Sequence, residues 1–121
     1  MGNHDFIKGF NLTRSILFDM DGVIIDSMPT HAHAWQLACK HILNIHISKE
    51  FIYQVEGKTN SVVIQEISEY FMKQITIGRE LASRVNERKN QIFNDNFRLK
   101  AIPGVIELIK KLHGLGYHLG V

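Results

Sequence analysis

A chain of 121 residues, 45% hydrophobic and 21% charged, has the size and composition of one soluble globular domain or part of a larger one. Its formal net charge is only +2 and its densest basic cluster, Arg84, Arg88 and Lys89, is interrupted by Val85 and Glu87, so a nucleic-acid footprint is not indicated. The single cysteine, Cys39, excludes an internal disulfide framework and is expected as a small apolar side chain on a helix. No apolar run is long enough to span a membrane.

The N-terminal stretch MGNHDFIKGF lacks the hydrophobic core of a signal peptide, and a myristoylation reading of Gly2 fails at Phe6, where Ser or Thr is required. A cytoplasmic protein is therefore expected. Arg14–Phe18 reads as a short buried strand, an apolar SILF run that stops at polar residues. The loop DMDGVIIDS follows. Pro29 suits the first turn of a helix capped near Ser27 or Met28, and Ala34, Leu37, Ala38, His41 and Ile42 predict a helical stripe ending around His41–Leu43.

Ser48 is placed to cap a short helix running through Val55, and Gly57-Lys58-Thr59-Asn60 reads as a loop. Val63, Ile64, Ile67, Tyr70 and Phe71 predict a second amphipathic helix. Leu81, Val85 and Ile92 predict a long one ending near Phe97. After the break at Pro103-Gly104, Val105, Leu108, Ile109 and Leu112 form a helical stripe that stops at Gly114-Leu115-Gly116, and Tyr117–Val121 begins a second strand. A strand, a crossover and a strand imply a parallel pair. A parallel sheet needs more strands and cover on both faces, so the chain is expected to be the N-terminal part of a larger α/β protein.

The chemistry is concentrated at Asp19 and Asp21. In open parallel sheets ligands bind beyond the carboxyl ends of strands, where Asp19 stands, and Gly22 permits a backbone conformation that a Cβ would resist. Two carboxylates in one crevice suit a division of labour: one stays ionised as nucleophile or metal ligand, while the other holds a proton as general acid and base. An EF-hand loop needs Gly and Glu where this chain has Ile24 and Thr30. A nucleotide P-loop at Gly57-Lys58-Thr59 needs Gly where Ile52 stands. A helix cap accounts for Asp26 or Ser27 and leaves Asp19 and Asp21 unexplained.

The stretch Phe18-Asp19-Met20-Asp21-Gly22-Val23-Ile24-Ile25-Asp26-Ser27 resembles motif I of the haloacid dehalogenase-like (HAD) superfamily, in the branch of β-phosphoglucomutase and small-molecule phosphatases. The resemblance implies a Rossmann-like α/β core with a parallel sheet, incomplete in this chain, and an inserted α-helical cap. Residues 1–27 would begin the core, 28–100 would be the cap, and 101–121 would return to the core. Asp19 would be the nucleophile and Asp21 the acid and base, with Mg²⁺ held by the Asp19 carboxylate and the Asp21 carbonyl. Members that are dehalogenases or phosphonatases lack an acid at the position of Asp21, so this chain looks like a phosphoryl-transfer enzyme.

His31 and Trp35 match a hinge histidine and a cap aromatic of the β-phosphoglucomutase kind. Gly22, His31, Gly57, Lys58 and Asn60 are the substrate-binding positions that the resemblance marks. Asn60 stands where the mutases carry a phosphate-gripping arginine, which moves the expectation from mutase to phosphatase. His33, His41 and His46 have no partner at metal-ligand spacing.

The expected function is a Mg²⁺-dependent phosphatase of small phosphorylated metabolites such as sugar phosphates. A phosphomutase and a truncated, non-catalytic binding module are the alternatives. No nucleic-acid or membrane partner is expected. The remaining Ser or Thr, Lys and metal-binding acids of the family would lie beyond Val121. At an effective dielectric near 20, each unneutralised charge pair about 4 Å apart costs on the order of 4 kcal/mol, or about a thousandfold in rate, so the 121-residue chain alone is expected to be inactive.

Overall fold

The computed structural model describes residues 14–71 and 77–121. The readings of Gly2, Phe6 and the rest of the N-terminal stretch lie outside the described residues. Two strands and five helices follow in the order β1 (Ser15–Leu17), α1 (Met28–Leu43), α2 (Lys49–Val55), α3 (Asn60–Phe71), α4 (Arg79–Asn96), α5 (Val105–Gly114) and β2 (His118–Gly120). The chain divides into two compact units: Met1–Asp26 with Leu99–Val121, and Ser27–Arg98.

In the first unit β1 and β2 pair in parallel, with Ser15 opposite His118, Ile16 opposite Leu119 and Leu17 opposite Gly120. The expected burial of this pair is not met among the described residues. Leu17 is 83% exposed, and Leu108, expected in the α5 stripe, is also exposed; only Val105 of that helix is buried. Two short strands and one helix cannot cover both faces of a parallel sheet.

The helical unit has a continuous core. Pro29 occupies the first turn of α1, where its missing N–H is harmless, and Ser27 is the N-cap. The buried arc of α1 is Ala32, Ala34, Trp35, Ala38 and Cys39. This corrects the stripe expected from spacing: His41 is exposed and Leu37 and Ile42 are half-buried, while Trp35 and Cys39 are inside. The helix packs against both α4 and α2, so its buried surface is a wide arc rather than a single stripe. Burial in this apolar setting pushes the Cys39 thiol up to about 12, which keeps it protonated and inert near neutral pH.

Asn44 ends α1 in the left-handed region, with φ 53°, which Asn tolerates better than most residues, and its N–H caps the Cys39 and Lys40 carbonyls. Gln36 Nε2 donates to the Ile47 carbonyl at 2.9 Å and ties the following segment back to the helix. Ser48 caps α2 as expected, its hydroxyl accepting from the Phe51 N–H at 3.1 Å. Ser48→Ala should therefore cost about 1 kcal/mol in urea unfolding, and Ser48→Asp should restore most of it.

In α3 the buried face is Val63, Ile64, Ile67 and Ser68. Tyr70, expected in the stripe, is 69% exposed, because helical rotation carries Ser68 and Phe71 to the buried side instead; its ring rests on Phe51 and Phe71. Val85, Lys89 and Ile92 form the buried face of α4. The basic cluster read from sequence thus divides. Lys89 is only 5% exposed, with its ammonium 5.4 Å from the Trp35 ring centre and 5.5 Å from that of Phe93, whereas Arg88 bonds outward to His41 and Gln91. No helix among the described residues is long and apolar enough to cross a membrane.

Candidate active site

Strand pairing places the first carboxylate. The Phe18 N–H donates to the Gly120 carbonyl at 2.9 Å, so Asp19 is the next residue beyond the paired edge. Its Oδ1 accepts from the Met20 N–H at 2.9 Å, and the carboxylate is otherwise exposed. The Met20 carbonyl then gathers the N–H groups of Val23, Ile24 and Ile25 at 3.3, 3.0 and 3.0 Å, and the Gly22 N–H returns to the Ile25 carbonyl at 2.9 Å. That closed turn demands a left-handed residue at its second corner, and Gly22 supplies it with φ 75°. Asp21, also exposed, leaves the same turn two residues after Asp19.

The turn has a fixed stem. Ile25 bridges Ala101 in antiparallel sense, the Asp26 N–H donates to the Lys100 carbonyl at 2.7 Å, and the Ile102 N–H donates to the Ile24 carbonyl at 2.9 Å. The apolar Val23-Ile24-Ile25 run thus serves the outgoing and returning segments of this unit, which zip together beside the aspartates. The result is two solvent-facing carboxylates on a short, hydrogen-bonded loop at the carboxyl end of a strand, where ligands bind in open α/β sheets.

Among the described residues of the helical unit, the marked positions gather partners that sequence reasoning missed. Gly57 is left-handed, with φ 90°, and turns the chain between α2 and α3. Lys58 Nζ lies 2.5 Å from Glu66 Oε1, with the two side chains 45% and 31% exposed. Asn60 is not in the loop, as expected, but opens α3, and its Nδ2 donates to Asn86 Oδ1 at 2.6 Å. His31 stacks on Phe93, with ring centres 4.2 Å apart and planes at 21°, and its Nδ1 is 3.9 Å from Glu56 Oε1. Asn86 and Phe93 lie on α4, far in sequence from the Asn60 and His31 they meet, so no local pattern marks them; Glu66 is eight residues beyond Lys58, on the helix that begins at Asn60. Glu56 was visible as an acid beside Gly57-Lys58.

A model of the family described as haloacid dehalogenase-like hydrolase matches residues 16–121. The chain belongs to the haloacid dehalogenase-like hydrolase family. A curated relative, an uncharacterised protein of Haemophilus influenzae, is 28% identical over 109 residues, covering 86% of this chain and 50% of its own length. Among solved structures, a β-phosphoglucomutase candidate from Bacteroides vulgatus is 27% identical with a TM-score of 0.78, covering 96% of this chain and 49% of that one. A hydrolase from Pseudomonas syringae is 25% identical with a TM-score of 0.75, covering 88% and 48%. The chain spans about half the length of these proteins.

In this haloacid dehalogenase-like chain the aspartate loop offers two carboxylates and backbone carbonyls as hard oxygen donors. No group of three or more His, Cys, Asp or Glu side chains gathers into a metal site among the described residues. That donor set fits a small hard cation such as Mg²⁺, which is typically bound through one or two carboxylates, with water and substrate phosphate completing the shell.

Proposed function

We propose that the whole protein hydrolyses phosphate monoesters of small metabolites through an aspartyl-phosphate. The observation that carries this reading is the pair of exposed carboxylates, Asp19 and Asp21, on the hydrogen-bonded turn that ends β1. One Asp19 oxygen attacks phosphorus as the ester P–O bond breaks, and Asp21 gives its proton to the departing alkoxide. Asp21, now ionised, takes a proton from water, whose oxygen attacks phosphorus, breaks the bond to Asp19 and releases inorganic phosphate. Mg²⁺ held by the Asp19 carboxylate and the Asp21 carbonyl would offset negative charge on the phosphoryl oxygens. Gly22 shapes the turn that presents both acids; His31, Gly57, Lys58 and Asn60 serve the organic part of the substrate.

The likeness to the β-phosphoglucomutase candidate favours a phosphomutase as a second reading. Two contacts favour hydrolysis instead. Asn60 is uncharged and engaged by Asn86, and the Lys58 ammonium is matched by Glu66, so neither offers a spare positive charge to a second phosphate. With a panel of sugar phosphates the whole protein should release inorganic phosphate in Mg²⁺. Excess chelator should reduce the rate at least about a hundredfold, and added Mg²⁺ should restore it. Isomerised sugar phosphate without free phosphate would overturn the hydrolase reading in favour of the mutase.

A further inference from the structure

The reaction as described leaves one basic feature of the helical unit without a task. Arg84 and Arg88 stand one turn apart on α4, beside the buried Val85–Lys89–Ile92 face. With Ile42 of α1, Glu87 and Gln91 they line an open groove of about 500 Å³, a size that small ligands occupy. The groove is separate from the marked substrate positions of this unit. Ile42 lies about 16 Å beyond His31 along α1, at about 1.5 Å per residue. Asn86, which engages Asn60, is about 200° of helical turn from both arginines.

Two arginines on a helix are ordinarily a solvated face, but here one is held in place. Arg88 is half-buried; its Nε–H donates to His41 Nδ1 at 3.3 Å and its Nη1 to Gln91 Oε1 at 2.6 Å. Both acceptors are uncharged, because an imidazole nitrogen that accepts carries no proton. The Nη2 amino group is unengaged among the described residues, and Arg84, exposed, makes no ion pair or side-chain hydrogen bond among them. The acid beside them is occupied elsewhere: Glu87 Oε1 accepts from the Ser83 hydroxyl at 3.3 Å. Two guanidinium charges one turn apart thus stand without a carboxylate partner, an arrangement that costs the helix stability unless an anion lies between them.

We propose that this groove is an accessory site for a small oxyanion, a phosphate or carboxylate group held between the Arg84 and Arg88 guanidinium groups. Arginine forks match both oxyanions in geometry and charge. Ile42 gives the carrier an apolar wall, while Glu87 opposes the anion and limits its affinity. The assignment is independent of the phosphatase reading, since it uses neither Asp19 nor Asp21.

Nuclear magnetic resonance of the whole protein tests it at the site itself, by following the Arg88 Nε–H signal through titrations with inorganic phosphate and with malonate at constant ionic strength. The signal should shift and saturate by about 10 mM of at least one of them. A lower Kd for phosphate assigns a phosphorylated ligand, and a lower one for malonate a carboxylate. Arg84→Gln should weaken the binding about tenfold, and Arg84→Lys should fall between, keeping the charge without the fork. Glu87→Gln should tighten it about threefold, a change of sign that a merely structural role would not produce. Shifts that never saturate or that sodium chloride reproduces, equal affinity in Arg84→Gln, or weaker binding in Glu87→Gln would overturn the assignment. Should Arg84→Gln lose its thermal transition, Arg84→Lys decides by the same comparison.

Discussion

Asp19→Asn is expected to lower phosphate release by the whole protein about ten-thousandfold or more while leaving the fold intact, as judged by single-turnover kinetics beside circular dichroism. The loss follows from the chemistry of the group replaced. An amide oxygen carries no net charge and is a weak nucleophile, so the covalent step is removed, and with it an anionic ligand for Mg²⁺. The structural effect should be small for an equally specific reason. Among the described residues, Asp19 Oδ1 accepts a hydrogen bond from the Met20 N–H at 2.9 Å, and the amide oxygen of Asn accepts the same bond. Asp19 is exposed, and the turn beyond it is closed by backbone bonds to the Met20 and Ile25 carbonyls that the substitution does not touch. Unchanged turnover would mean that the nucleophile lies elsewhere. A lost thermal transition would mean that the turn depends on the charge.

Trp35→Ala is expected to destabilise the helical unit by about 3–5 kcal/mol, read as a lowered urea midpoint. Trp35 is 1% exposed and is the largest of the fully buried side chains. It lies on the buried arc of α1, the helix that packs against both α2 and α4, so removing the indole opens a cavity in the core of the helical unit. The loss also removes the ring over which the Lys89 ammonium sits at 5.4 Å, an interaction that strengthens where water is excluded. Set against a typical domain stability of about 5–15 kcal/mol, such a change uses a large share of what holds the unit folded. Trp35→Phe keeps an aromatic face and part of the volume and should recover most of the loss. An unchanged midpoint in the Ala variant would show that Trp35 is not central to the core.

The motif loop and the secondary structure were legible because both are local. Pro29 at a helix start, Ser48 as an N-cap and Val63, Ile64 and Ile67 on the buried face of α3 each follow from a few neighbouring residues, and each sits where the spacing placed it, although Tyr70 of the same stripe does not. Phe18–Ser27 was legible as a whole, because a strand followed by two acids and a glycine is written continuously. The same local logic failed where one helix meets several neighbours. Spacing on α1 selected His41 and passed over Trp35 and Cys39, since periodicity locates a stripe but not the width of the arc that two partners cover. It grouped Lys89 with Arg84 and Arg88 as one interrupted basic cluster, although the 85–89–92 spacing carries the lysine stem inward beside Trp35.

The sequence by itself determined the family, the α/β class and the position of the two acids, because each depends on residues adjacent in the chain. Tertiary structure decided the charge and hydrogen-bonding character of the helical unit's marked positions. Lys58 and Asn60 read from sequence as loop residues at substrate-binding positions, but Glu66 and Asn86, 8 and 26 residues away, engage them. His31 and Glu56 are 25 residues apart and meet because α1 and α2 pack together. Ion pairs and buried acceptors act over a few ångströms of space rather than along the chain, and only the packed helices bring those atoms within range.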